Sequence, residues 1–252
     1  MRRIALTIAY DGTEYAGWQR QNGALAVQEV VENAITKLTG TEAELLGASR
    51  TDAGVHALGN VAVFDTEATI PAERYAPALN TYLPDDIRII SSKEVSAEFQ
   101  PRFDAHHKLY EYHILTGEVC SPIQFRYVHF MRENLDIEAM NKAASFLTGT
   151  HDYTSFCAAA AQVKTKVRTV RDITVTKHGD EIVISVMGDG FLYNMVRIIA
   201  GTLMEAGFGN ITAEDVARML EAKERSAAGP TAPPQGLCLM EYRFPGGIDG
   251  PR

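Results

Sequence analysis

Only three of the 252 residues are cysteines (Cys120, Cys157 and Cys238), and no two of them form a C-x-x-C pair. That excludes a disulfide framework and leaves the thiols as small hydrophobes for a core. No apolar run approaches the roughly 18 residues that a membrane span needs. Met1 to Tyr10 lacks the apolar stretch of a secretory signal, which points to a cytosolic, cytoplasmic protein with no membrane partner. Nucleotide and metal signatures are missing too. Gly188-x-Gly190 lacks the third glycine of a dinucleotide fingerprint, and there is no Walker A, zinc motif or serine nucleophile elbow. Positive charge is in deficit. Against 24 Lys and Arg stand 32 Asp and Glu, a net charge of −8, where nucleic-acid binders usually carry a basic footprint.

What is present reads as an ordinary globular chain, 46% hydrophobic and 22% charged. It is long enough for one large domain or two smaller ones. The charge is uneven. Residues 1–104 hold 9 Lys and Arg against 15 Asp and Glu, and residues 105–252 hold 15 against 17. Between Val163 and Arg171, Lys164, Lys166, Arg168 and Arg171 occur with no acid. Screening confines electrostatics to about 10 Å, so such a stripe can hold phosphates on an acidic protein. It can equally be a solvated strand edge whose lysines discourage aggregation.

Hydrophobic periodicity divides the chain into two similar halves. Ile4, Leu6, Ile8 and Tyr10 alternate as a strand that the Asp11-Gly12 turn closes. Val27, Val30, Val31, Ala34, Ile35 and Leu38 recur at helical spacing, with Gly40 as a stop. A short strand at 43–46, a polar loop over 47–60, a strand at 61–64, a helix from Pro71 to Leu79 and a strand at 87–95 complete β-α-β-β-α-β. In the second half the expected elements are strands at 109–115, 167–175 and 181–187 and a last strand from Leu237. The two middle strands are joined by the His178-Gly179-Asp180 hairpin. Helices are expected after Asp136, ending at Gly149, over Phe191–Ala206, and after Thr212. Pro245 to Arg252 reads as a loose tail. The fold class is therefore α+β: two tandem ferredoxin-like halves, 1–104 and 105–252, with mainly antiparallel sheets. Sheets of this layout carry helices on one face and leave the other free. The RNA-recognition domain shares the topology and stacks bases on its open sheet.

Three features carry candidate chemistry. Gly47 to Ala57 is a polar loop between apolar strands, with Arg50 and Asp52 two residues apart. A carboxylate held there can act as nucleophile or base; it can also simply close an Asx-turn, with Arg50 in solvent. His56 has no companions at metal-ligand spacing. Tyr110 and Tyr112 share a strand face, as aromatic core or as a platform for a base. Arg197 falls among Met195, Val196, Ile198 and Ile199, where a guanidinium needs an acid or a phosphate.

Arg50-Thr51-Asp52-Ala53-Gly54-Val55-His56-Ala57 resembles the active-site signature of the tRNA pseudouridine synthases. The resemblance runs along nearly the whole chain. Tyr10-Asp11-Gly12-Thr13 with Gly17-Trp18-Gln19-Arg20-Gln21 is similar to that family's opening, and Leu79-Asn80, Leu83-Pro84, Phe99 and Arg102 to its middle. His151-Asp152-Tyr153-Thr154-Ser155-Phe156, Phe191 to Arg197 and Gly236-Leu237 follow in family order.

The resemblance implies a pseudouridine synthase fold and isomerisation of uridine to pseudouridine at positions 38–40 of the tRNA anticodon stem-loop. It implies no cofactor and no metal, because the reaction neither changes redox state nor consumes phosphate. Asp52 is then the essential carboxylate, attacking C1′ or removing the C2′ proton. Arg197 is its pairing cation, Tyr110 stacks on the uracil, and Arg50 faces the RNA, on a phosphate or in the gap left by the displaced base. Lys164, Lys166, Arg168 and Arg171, with Arg126 and Arg132, are the expected backbone contacts. The partners implied are tRNA and a second copy of the chain in a homodimer. The proline-rich stretch at 230–234 departs from the family pattern. Two competing readings remain at this stage. One is a catalytically silent RNA-binding protein on the same sheets. The other, a carboxylate hydrolase, is disfavoured because no second carboxylate lies in a comparable loop.

Overall fold

The opening alternation forms strand β1 (Arg2–Tyr10), which buries Ile4, Leu6, Ile8 and Tyr10. The computed structural model describes residues 1–104, 106–159 and 163–245. By its contacts the chain forms two units, one of Met1–His106 joined by the segment from Leu239, the other of His107–Cys238. The expected linker at 105 and the expected tail, apart from Pro245, fall outside the described residues.

The first unit has the expected order. After β1 come helix α1 (Val27–Thr39), strands β2 (Leu46–Gly47) and β3 (His56–Thr66), helix α2 (Tyr75–Leu79) behind a 3-10 turn, and strand β4 (Ile87–Val95). β1 lies antiparallel between β3 and β4. Gly40 ends α1 with a φ of 73°, the left-handed stop its position suggested. The expected strand at 43–46 is only two residues long, at 46–47, and β3 starts five residues earlier than its apolar core. Its opening residues, His56 to Asn60, are polar or glycine-interrupted, which hides them from an alternation rule. Both faces of this sheet are covered, not one. Ala5, Val61 and Val63 form a second core with Ala48, Phe99 and Phe244, and the Phe99 and Phe244 rings meet edge to face at 5.3 Å.

The second unit contains β5 (His107–Thr116), β6 (His129–Met131), α3 (Ile137–Ser145), β7 (Gly149–Asp152), β8 (Val167–His178), β9 (Glu181–Gly188), α4 (Met195–Gly207) and α5 (Ala213–Ala222). β5, β9, β8 and β7 pair antiparallel in that order, while β6 runs parallel to β5. β6 and β7 are short and polar, and the periodicity did not mark them. Gly149 begins β7 and does not end α3, whose last turn closes at Phe146. The expected caps are present. Asp136 accepts the Ala139 N–H at 3.0 Å, and Thr212 and Asp215 form a reciprocal capping box. Asn141 closes an otherwise open stretch of β8, donating to the Val175 carbonyl (2.8 Å) and accepting its N–H (2.9 Å). Of the three thiols only Cys157 is fully buried.

The last strand, β10 (Leu237–Arg243), lies beside β3 in the first unit from Leu239 on. Gly59 permits this approach, since a Cβ there would sit 2.7 Å from the Met240 carbonyl oxygen.

Gly201 lets the 229–232 segment lie directly on α4. A Cβ at this position would stand 1.9 Å from the Pro230 carbonyl oxygen, a backbone atom that cannot swing aside. We therefore expect Gly201→Ala to cost about 1–3 kcal/mol, read as a lower midpoint in denaturant melts with an unchanged slope.

Candidate active site

The loop that carries Asp52 is pinned from below by buried polar groups. Asn60, on β3 and 0% exposed, donates from Nδ2 to the Ser49 carbonyl and to the Tyr10 hydroxyl, both at 3.2 Å. Its Oδ1 accepts the Val61 N–H at 2.9 Å. Tyr10 Oη and Thr51 Oγ1 share a hydrogen bond of 2.8 Å. Each of these groups would be left with an uncompensated desolvation penalty if its neighbour moved, which holds the loop in this position.

The 11–18 segment holds the same loop from the side. Trp18 N–H donates to the Thr51 carbonyl (3.1 Å) and Gly54 N–H to the Tyr15 carbonyl (3.3 Å). Gly12 N–H donates to His56 Nδ1 at 3.0 Å, so this histidine is a buried clasp. Three glycines make the fit possible. A Cβ at Gly12 would lie 2.0 Å from the Val55 carbonyl oxygen, and Gly17 and Gly54 have φ values of 93° and 75°. α1 lacks a side-chain cap, and the 11–18 segment supplies one in backbone form: the Gly17 and Trp18 carbonyls accept from Val27 and Gln28. The 52–55 turn is closed by the Val55 N–H on the Asp52 carbonyl (3.2 Å), so turn closure does not itself require the Asp52 carboxylate.

Arg50 is exposed and lines an open groove of about 210 Å³ with Trp18, Gln100, Arg102 and Phe103. Burial, and then the nearby charge of Arg50, hold the Arg102 guanidinium below its usual range; Tyr242 acts in the opposite direction.

In the second unit, Tyr110, Tyr112 and Ile114 share the buried face of β5. Tyr110 is 6% exposed and meets Phe191 edge to face at 5.4 Å. Tyr112 donates to the Pro233 carbonyl at 2.9 Å. Burial pushes its hydroxyl well above the usual phenol range, only partly opposed by Arg197. Arg197 sits in the first turn of α4, which starts four residues later than its apolar run suggests. Asn194, at φ 60°, turns the chain into the helix and accepts from Arg197 Nη1 at 2.9 Å, while Arg197 Nε donates to the Ala232 carbonyl at 2.8 Å. The Ala232 N–H returns a bond to the Arg197 carbonyl (3.1 Å). The proline-rich stretch is thus a strap that orients Arg197 and Tyr112 together.

The basic stripe is heterogeneous. Arg171, at a bulge in β8, binds Asp189, with Nε 2.5 Å from Oδ1. Burial raises the Asp189 carboxyl, but Arg171 and His107 more than offset this and hold it below the usual range. Arg168 donates to the Thr165 (3.0 Å) and Val167 (2.6 Å) carbonyls. Lys164 is exposed and Lys166 half-buried. Arg126 lies over the Phe125 ring at 5.7 Å, and Arg132 is exposed. His151–Phe156 is structural: Tyr153 and Ser155 are buried, bonded to the Leu147 carbonyl (2.6 Å) and the Glu224 N–H (2.8 Å).

Among the described residues no group of three or more His, Cys, Asp or Glu side chains could hold a metal. No helix there is long and apolar enough to cross a membrane. Sequence reasoning missed Asn60, Asn194 and Ala232. An asparagine inside an otherwise apolar strand, as in Gly59-Asn60-Val61, was the one available signal. We expect Asn60→Ala to cost about 1–3 kcal/mol by unpairing buried acceptors and donors. Turnover should fall further than the unfolded fraction explains, as measured by melts and initial rates on the same preparation.

A family model described as tRNA pseudouridine synthase matches residues 6–104 and 143–245. The protein named tRNA pseudouridine synthase A of Acetivibrio thermocellus is 46% identical over 244 residues, spanning 97% of this chain and 100% of that one. Its namesake from Thermoanaerobacter sp. (strain X514) is 48% identical over the same shares of both chains. That from Halalkalibacterium halodurans is 46% identical over 94% of this chain and 90% of its own. A solved Cbf5-Nop10-Gar1 complex aligns at a TM-score of 0.33 and 12% identity, over 94% of this chain and 47% of that chain, too remote to inform the site. With a family match over most of its length and full-length relatives at this identity, the chain belongs to the tRNA pseudouridine synthase family.

Proposed function

We propose that this protein isomerises uridine to pseudouridine at positions 38–40 of the tRNA anticodon stem-loop. The observation that carries the reading is the pinned Arg50–Ala57 loop: a buried polar scaffold sets the backbone of Asp52 before any substrate arrives. Such preorganisation is what a catalytic carboxylate requires, because reorganisation during the reaction would raise its barrier.

The target base is flipped from its stack, at a cost of a few kcal/mol. Asp52 then attacks C1′, as in a retaining glycosidase, or takes the C2′ proton to give a glycal. Both routes break the N1–C1′ bond, turn the uracil over and form C1′–C5. In the first route the Asp52–C1′ bond breaks as C5 attacks, and in the second Asp52 returns the proton to C2′; the C5 proton leaves and N1 is left protonated, so product and substrate are isomers. Arg197 supplies the cation that keeps the carboxylate ionised. Its orientation by Asn194 and Ala232 supports that role. Tyr110 contacts the uracil, Arg50 the RNA, and Lys164 and Lys166 the backbone. Arg168 and Arg171 join them only by exchanging the acceptors they now hold. A cytoplasmic location and a homodimer complete the reading. Two copies would let modest basic patches act together on one tRNA despite the charge of −8.

The test is tritium release from C5-labelled uridine in transcribed tRNA. Wild type is expected to release tritium. Asp52→Asn should lose turnover by on the order of 10³-fold or more while still binding RNA. Arg197→Ala should be slow at saturating RNA, with its activity rising at higher pH as an unassisted carboxylate ionises. Comparable turnover by Asp52→Asn would overturn the assignment, and a wild type that binds without release would make the protein a silent RNA binder.

A further inference from the structure

Of the groove beside Arg50, the reading above uses only Arg50 itself. Of its lining residues only Glu44, Arg50 and Arg102 are charged. Arg102 stands on a tight turn: Phe103 and Asp104 N–H donate to the Gln100 carbonyl, both at 2.9 Å, and the Asp104 carboxylate accepts the Gln100 N–H at 3.0 Å. The turn is anchored through Phe99, which packs on Phe244 and whose carbonyl accepts from Arg3 at 3.0 Å. Arg102 thus stands on a fixed base, half-buried, and lines the same groove as Arg50, whose charge it feels.

Two arginines brought together in this way repel each other. Among the described residues neither donates a hydrogen bond to a protein acceptor, and Asp104 is already committed to Gln100. By contrast Arg2, Arg3, Arg20, Arg88 and Arg171 each hold a carboxylate. A half-buried guanidinium beside a second cation and without an anion is costly, and a planar donor fork matches phosphate oxygens. Phe103, 80% exposed at the rim, offers an aromatic face to a neighbouring base. Arg50 lies two residues from Asp52, at most about 7 Å along the chain, which is within reach of a linkage adjoining the nucleotide that Asp52 addresses.

We propose that the groove between Arg50 and Arg102 is a phosphodiester subsite for the substrate RNA, in which the two guanidiniums clamp one linkage adjoining the target uridine. This rests on the proposed function for the identity of the RNA and assigns Arg102 a binding role. The clamp leaves chemistry to Asp52 and orients the sugar by holding the phosphate attached to it.

The test measures binding of an anticodon stem-loop RNA in the Asp52→Asn background across a range of salt. Adding Arg102→Gln should weaken binding about tenfold, the loss of one charge-assisted contact. The log–log salt slope should become shallower by about 0.7–0.9. Arg102→Lys should restore the slope but only part of the affinity, because a point charge replaces a fork. Methylphosphonates placed singly at the two linkages around the target should cost the Arg102-intact protein the same tenfold at one of them. At that linkage they should cost Arg102→Gln nothing more. An unchanged slope in Arg102→Gln, losses that add at every linkage, or inorganic phosphate binding with no effect of Arg102 on RNA would each overturn the clamp. Tritium release by wild type together with any of these results removes the clamp alone; absence of release removes the functional reading. Far-UV circular dichroism melts matching the parent identify the variants as folded.

Discussion

Asn60 is fully enclosed, and all its hydrogen-bonding capacity in the structure is directed at the loop and strand around it. A buried amide has no solvent to fall back on, so displacement of the Ser49–Thr51 backbone would leave several polar atoms unpaired at once. That penalty fixes the loop more firmly than apolar contacts could, because hydrophobic packing is non-directional while these bonds specify angles. The 11–18 segment adds a second constraint. Its glycines bring backbone against backbone, and its carbonyls both grip the loop and start α1. Asp52 is therefore held by the fold of the whole first unit.

The second unit solves a comparable problem differently. Arg197 lies in a helix whose other faces are apolar, and an arginine there is tolerable only if its N–H groups are directed. Asn194 and the Ala232 carbonyl direct two of them, and the strap that supplies Ala232 also receives the Tyr112 hydroxyl. Gly201 is what allows that strap to touch the helix backbone. The prolines that make 230–234 look irregular suit the task, since a segment without regular pairing gains stiffness from restricted φ.

Charge follows the same logic of local assignment. The molecule is acidic, yet its cations are sorted into those already satisfied and those facing outward. Arg171 is neutralised by Asp189 and Arg168 donates to backbone carbonyls, whereas Arg50 and Arg102 share a groove with a single acid among its lining residues. Net charge is thus a poor guide to where a polyanion can lie. Within a screening length of about 10 Å the local set of side chains decides.

Local regularities were readable without coordinates. Alternation marked β1, helical spacing and a glycine stop marked α1, and Thr212 and Asp136 marked their helices, because each depends on residues a few positions apart. The Arg50–Ala57 signature was legible for a similar reason, as one contiguous string. Other features were decided only in three dimensions: that Asn60 underpins this string, that β10 returns beside β3, and that Asp189 claims Arg171. The strap on α4 and the single groove that Arg50 and Arg102 both line belong with them. Each joins residues far apart in sequence, or strands as short as β2, β6 and β7. Their free energy comes from desolvation and packing against distant neighbours, and no local pattern in the chain encodes that.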